Sequence, residues 1–180
     1  MAKRYSTKDS PSSKGVSAEA AAIWEIAREV LSTAKRQKVV LIHMPRGATP
    51  IVEGINYVAS KLAPGKRPYE VVKVPFSREN ISRPEIARKT ITDSLAGVPK
   101  NTTVFYVDET RSGTVTSANA QDIERTLRSR GCQVKTHLIA AGKGVHLRNN
   151  SVNIFQKIKG TVVLHKVPGR ISWADNTRAL

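Results

Sequence analysis

The 180 residues carry 30 Lys and Arg against 14 Asp and Glu, a formal charge of +16, with 39% hydrophobic and only 5% aromatic residues. One cysteine excludes an internal disulfide framework, and the short apolar runs exclude a membrane-spanning helix. There remains one strongly basic domain with a core of Val, Ile, Leu and Ala; the first residues lack the apolar stretch of a secretory leader, so a cytoplasmic location is expected.

Residues 1–16 are rich in Lys, Ser, Asp and Pro without periodicity and are expected to form a basic flexible tail, leaving 17–180 as a single domain. Ser17 is a plausible N-cap for an amphipathic helix whose buried stripe is Ile23, Ile26, Ala27, Val30 and Leu31. The run 39–43 is continuously apolar up to His43 and reads as a strand buried on both faces. Thr49-Pro50 opens a second helix with Ile51, Ile55, Val58, Ala59 and Leu62 on one face, and Pro64-Gly65 ends it. A short strand is expected at 69–74, then an irregular polar stretch. Ser82-x-x-Glu85 reads as a capping box that opens a short helix.

Strand 103–107 is apolar from Val104 onward, 108–114 reads as a polar turn, and 115–130 as a helix with Gly131 at its end. A strand at 134–140, a loop at 142–150 and a strand at 161–166 follow, and the last dozen residues read as irregular. Strands alternating with helices predict an α/β fold: a doubly wound, mainly parallel five-stranded sheet with helices on both faces. Ligands of such sheets bind beyond the carboxyl ends of the strands, which selects the loops 44–49 and 108–116.

The second of these loops carries the most chemistry. Four apolar residues, Val104 to Val107, run into Asp108 and Glu109, then Thr110, Arg111, Ser112, Gly113 and Thr114, then a helix. Backbone N–H groups at a helix start attract anions, hydroxyls add hydrogen bonds, and Gly113 allows close approach of a ligand. Two carboxylates at a strand end suit vicinal hydroxyls or a Mg2+ carried by a pyrophosphate. The same residues also describe a plain strand-to-helix turn that needs no ligand.

The segment resembles the PRPP-binding signature of type I phosphoribosyltransferases (PRTases), in which four hydrophobic residues precede two acidic ones and a Thr/Ser/Gly turn. The resemblance implies that Asp108 and Glu109 hold the ribose hydroxyls, that Thr110 to Thr114, Arg111 included, wrap the 5-phosphate, and that Mg2+ is the cofactor, held through the same two carboxylates. Met44-Pro45-Arg46-Gly47 after the first apolar strand resembles the family's pyrophosphate loop, so Arg46 and Gly47 are the expected pyrophosphate ligands. The stretch 73–89 occupies the position of the family's mobile loop, with Lys73 and Arg78 placed to close over the site. A small carboxy-terminal hood is implied, with Lys143, Trp173 and Asp175 as base-contacting candidates.

Two functions follow. One is Mg2+-dependent transfer of ribose 5-phosphate from PRPP to a nucleobase or related acceptor. The other rests on two departures: Ser112-Gly113 falls one residue earlier than the family's Thr-Gly, and the charge exceeds what a metabolic transferase needs. It is a PRTase-fold nucleic-acid-binding regulator, or an effector component of an RNA- or DNA-containing complex, with little or no turnover. A homo-oligomer or larger complex is compatible with either.

Overall fold

The computed structural model describes residues 5–9, 17–45, 47–142 and 146–168, apart from the side chains of Asp9, Arg78 and Ala141. The elements, in chain order, are β1 (Tyr5–Asp9), α1 (Ala18–Ala34), β2 (Val39–His43), α2 (Thr49–Leu62), β3 (Glu70–Lys73), α3 (Arg78–Ser82), α4 (Pro84–Leu95), β4 (Thr103–Thr110), α5 (Thr114–Arg128), β5 (Gln133–Ala141), α6 (Asn149–Lys157) and β6 (Thr161–Val167). All strands pair in parallel in the order β1-β6-β5-β4-β2-β3.

The α/β doubly wound architecture is as the alternation predicts, with one more strand than expected. Tyr5–Asp9, which the composition assigned to a flexible tail, pair with β6 at the sheet edge. Lys8 forms an ion pair with Glu25 of α1, and the Tyr5 ring stacks on Phe155 with 6.0 Å between centroids. A polar five-residue strand carries little local signal, and its pairing partner lies more than 150 residues away in sequence.

The apolar stripes do what their spacing requires. α1 and α2 cover one face of the sheet, burying Ile23, Ile26, Val30, Ile51, Ile55 and Val58 against Leu41, Phe105 and Val107. The opposite face is covered by α4, α5 and α6 through Ile91, Leu95, Ile123, Leu127 and Phe155. Each such apolar side chain contributes roughly 1.5–3 kcal/mol by leaving water. Ser17 caps α1 as expected, its hydroxyl accepting from the Ala20 N–H at 3.1 Å.

Two helix starts differ from expectation. The capping box is Ser77 with Asn80, at the head of α3, whereas Ser82 ends that helix and donates to the Glu79 carbonyl. α4 begins at Pro84 with Arg83 as its cap, because proline at a first helical position needs no N–H partner. α6 is an additional helix in a stretch read without one; it buries Ser151 and Phe155 and no continuous apolar stripe.

His137 and His165 are adjacent on the α1 face, with Nδ1 of the first 3.1 Å from Nε2 of the second. Glu29 of α1 reaches two side chains of β5: Lys135 donates to it at 2.8 Å, and its other oxygen is 3.3 Å from His137 Nε2. Burial and the neighbouring His137 push His165 down to about 4. Among the described residues no helix is long and apolar enough to cross a membrane.

Candidate active site

β2 and β4 are neighbours, with His43 paired to Val107. The helices that follow them pack on opposite faces, α2 with α1 and α5 with α4 and α6. Where adjacent strands send their helices to opposite sides, the two connecting loops part and open a crevice at the carboxyl edge. Those loops are 44–48 and 111–113, the same two that the sequence selects.

The strand does not end where the apolar run ends. β4 continues through the acidic pair, with Asp108 opposite Leu138, Glu109 opposite Ile139 and Thr110 opposite Ala140. The expected turn at 108–114 therefore shrinks to 111–113. Successive strand residues face opposite sides, so the two carboxylates part company. Asp108 shares a face with Tyr106, whose hydroxyl donates to Asp108 Oδ2 at 2.6 Å, and the Glu109 N–H donates to Oδ1 at 2.9 Å. Asp108 is only 8% exposed. Burial pushes its carboxyl up to about 7; the two hydrogen bonds oppose that rise, and the Glu109 charge adds to it.

Glu109 is half-buried on the other face, toward the 44–48 loop. A Cβ built on Gly47 would lie 3.3 Å from Glu109 Oε2, so the glycine leaves room for this carboxylate. Burial raises the Glu109 carboxyl above its ordinary value, and the Arg111 charge works against that. The structure thus brings Gly47, Glu109 and the 110–114 turn together while turning Asp108 inward.

The hydroxyls of the turn divide in the same way. Thr110 and Thr116 are buried and bonded to each other at 2.8 Å, which ties the end of β4 to the first turn of α5. Ser112 and the exposed Thr114 lie 3.2 Å apart at the mouth of the turn, beside exposed Arg111. Gly113 caps α5 with φ +78°, a left-handed conformation that side chains disfavour. A Cβ there would meet Leu147 Cδ2 and Ser151 Cβ at 2.9 Å, and the Arg148 N–H donates to the Ser112 carbonyl at 3.0 Å. The head of α6 therefore clamps the turn. Gly113→Ala is expected to cost about 1–3 kcal/mol through strained φ and this collision; a urea unfolding midpoint indistinguishable from wild type would contradict it.

Lys73 ends β3 opposite His43 and is exposed. Arg78 opens α3, but its side chain lies outside the described residues, as do Arg46, Lys143, Trp173 and Asp175 and the expected hood.

Three contributors were not singled out from sequence. Tyr106 holds Asp108, a pairing that the two-residue strand period makes legible. His43 is 5% exposed at the end of β2, with Nδ1 lacking a hydrogen-bond partner among the described residues. Burial, aided by the Lys73 charge, holds it below its ordinary pKa. Ser151 backs the turn from α6, and its neighbours carry no periodic signal that would have announced it.

Among the described residues no group of three His, Cys, Asp or Glu side chains converges to cage a metal ion. Mg2+ does not need such a cage; it is commonly held by one or two carboxylates and the phosphates of its substrate. Half-buried Glu109 fits that role better than Asp108, both of whose oxygens are engaged.

No protein-family model and no curated protein matches the sequence. Among solved structures, the chain is similar to hypoxanthine phosphoribosyltransferase of Trypanosoma cruzi, at 14% identity over 83% of this chain and 77% of that one, TM-score 0.45. It is likewise similar to the hypoxanthine-guanine enzyme of Schistosoma mansoni, at 10% identity over 86% and 64%, TM-score 0.43. A third is the Leishmania tarentolae enzyme in complex with GMP, at 13% identity over 83% and 75%, TM-score 0.45.

Proposed function

We propose that the crevice between β2 and β4 binds PRPP and that the chain transfers its ribose 5-phosphate to a nucleobase or related acceptor, with Mg2+ as cofactor. The observation that carries this reading is the close approach of the loop after β2 to the end of β4 at the switch point. Gly47 gives room to a half-buried Glu109, directly beside a glycine-hinged hydroxyl turn at a helix start.

Glu109 accepts hydrogen bonds from the ribose hydroxyls. Ser112, Thr114 and the first N–H groups of α5 take the 5-phosphate, where the helix dipole favours negative charge. Arg111 adds a cation at the rim. In this reading Arg46 and Gly47 are assigned to the pyrophosphate, and Lys73 and Arg78 to a loop whose closure excludes water. Asp108 is a positioning residue: with Tyr106 it fixes the strand end from which Glu109 projects.

In the reaction a base nitrogen forms a bond to ribose C1 as the C1–O bond to pyrophosphate breaks. The bonding pair leaves with pyrophosphate, and the proton of the base nitrogen passes to solvent. Bound Mg2+ would neutralise the pyrophosphate charge. Lys143, Trp173 and Asp175 are the base-side residues of this reading.

Calorimetric titration of PRPP, with and without Mg2+, on protein washed in high salt tests it. Micromolar binding that requires Mg2+ is expected, followed by pyrophosphate release with at least one purine or pyrimidine. Absence of binding under both conditions would remove the reading.

A further inference from the structure

The opposite edge of the sheet carries a different chemistry. Five helix-to-strand connections lie there, 35–38, 63–69, 96–102, 129–132 and 158–160. Each contains at least one Lys or Arg and none contains Asp or Glu. Because the strands are parallel, all five emerge on one edge, in the spatial order of β6, β5, β4, β2 and β3. Charges scattered along the sequence thereby become one row, about 19 Å long at the usual spacing between strands.

Two clefts open on this row. One, of about 340 Å3, lies at the starts of β5 and β6 and includes Arg128 and Lys159. The other, of about 640 Å3, lies at the starts of β2 and β3 and includes Lys38, Lys66 and Arg67. Lys100 stands between them, ahead of β4.

The two acids that line these clefts already have partners there. Glu70 pairs with Lys38 at 3.1 Å, and Glu124 accepts the Lys159 backbone N–H at 3.1 Å. Lys135, on the wall of the first cleft, is paired with Glu29. Among the described residues no carboxylate is within ion-pair distance of Lys66, Arg67, Lys100, Arg128 or Lys159. Arg67 is also ordered in advance: its Nε donates to the Tyr69 carbonyl at 3.0 Å, and its guanidinium lies 5.5 Å from the centre of the Tyr69 ring.

We propose that this amino-terminal edge is a docking surface for a nucleic-acid duplex, gripped through its phosphate backbone. A row of separated cations matches a repeating anion. A mononucleotide would meet only one or two members of the row. A single strand would need aromatic platforms for its bases, whereas Tyr69, the aromatic residue of these connections, is 4% exposed beneath Arg67. The surface lies at the far end of the strands from the Asp108–Thr114 region, so both sites can be occupied together. The proposal does not depend on the transferase reading.

The test is fluorescence anisotropy of a 20-base-pair duplex, as DNA and as RNA, with the full chain between 50 and 300 mM salt. About five phosphate contacts give a log–log salt slope near −4.5. The triple variant Lys66→Glu, Lys100→Glu, Lys159→Glu is expected to lose about 100-fold or more at 100 mM salt and to flatten the slope by about 3. Glu109→Gln is expected to bind duplex like wild type, and the triple variant to keep the wild-type far-ultraviolet circular dichroism. Either duplex behaving this way supports the proposal and identifies the sugar preference. A folded triple variant with unchanged affinity and slope would overturn it. So would tighter binding of a single-stranded oligonucleotide, or displacement of the duplex by an equal charge of polyglutamate, which would point to an acidic protein instead.

Discussion

Glu109→Gln is expected to weaken Mg2+-dependent PRPP binding by one to two orders of magnitude while leaving the fold untouched. The reasoning starts from burial. Glu109 is half-exposed, and its carboxylate faces the 44–48 loop across Gly47. A carboxylate that accepts hydrogen bonds from ribose hydroxyls contributes roughly 1.5–3 kcal/mol per charge-assisted bond, and each 1.4 kcal/mol is about tenfold in affinity. Gln preserves shape and removes charge, so the loss reports the charge and any cation it holds. Burial disfavours the ionised form of Glu109, so the folded protein should be as stable as wild type or slightly more so. Calorimetry alongside a urea titration separates the two readouts. Wild-type PRPP affinity in a folded Gln variant would take the ribose role away from this residue.

Asp108→Asn is expected to act on stability, with a strong dependence on pH. The Asp108 carboxyl has a pKa of about 7 in the folded chain and an ordinary value of 3.8. A group raised on folding contributes stability that is fully present below its unfolded pKa and is lost as pH rises through its folded one. Wild-type stability should therefore decline from about pH 4 to pH 8, and the variant should lack that component. At one pKa unit per about 1.4 kcal/mol, the decline reaches a few kcal/mol at most. The variant pays for its gain at high pH with one hydrogen bond, since an amide offers one oxygen to the two donors Tyr106 Oη and Glu109 N–H. Near pH 5 wild type should be as stable as the variant or more so; near pH 8.5 the variant should be more stable. Urea midpoints at the two pH values decide the matter: parallel shifts of both proteins would show that Asp108 is ionised throughout and that its burial is compensated.

The contrast between these neighbours bears on mechanism. Both are acidic and adjacent, and the sequence treats them as a pair. A single further turn of β-ladder, the pairing of Asp108 to Thr110 with β5, assigns one to the interior and one to the crevice. A substitution series that moved PRPP binding only at Glu109 and pH-dependent stability only at Asp108 would separate a ligand-facing role from a positioning one.

Much of the fold is legible in local pattern. The stripe Ile23, Ile26, Val30 and the stripe Ile51, Ile55, Val58 announce helices because their spacing repeats the helical turn. The apolar runs ending at His43 and Val107 announce strands covered on both faces, and alternation of the two implies parallel pairing. The carboxyl-edge loops follow from that alternation alone. Local pattern is weaker where stability comes from distant contacts. Tyr5–Asp9 has no apolar alternation and becomes a strand only because β6 offers an unpaired edge. α6 has no continuous stripe and is held by Phe155 and by its contact with the Gly113 turn.

By itself, then, the sequence determined the α/β alternation, the buried stripes, the hydroxyl and glycine chemistry of the 110–114 turn, and a large positive charge. Tertiary structure alone decided which carboxylate meets the crevice, which histidines touch, and where the surplus cations gather. The physical reason is range. Periodicity, capping and turn chemistry act over a few residues, whereas burial and the grouping of charges depend on which strands become neighbours. In a parallel sheet those neighbours lie tens of residues apart or more, and the ordering β1-β6-β5-β4-β2-β3 brings every helix-to-strand cation to one edge and the candidate site to the other.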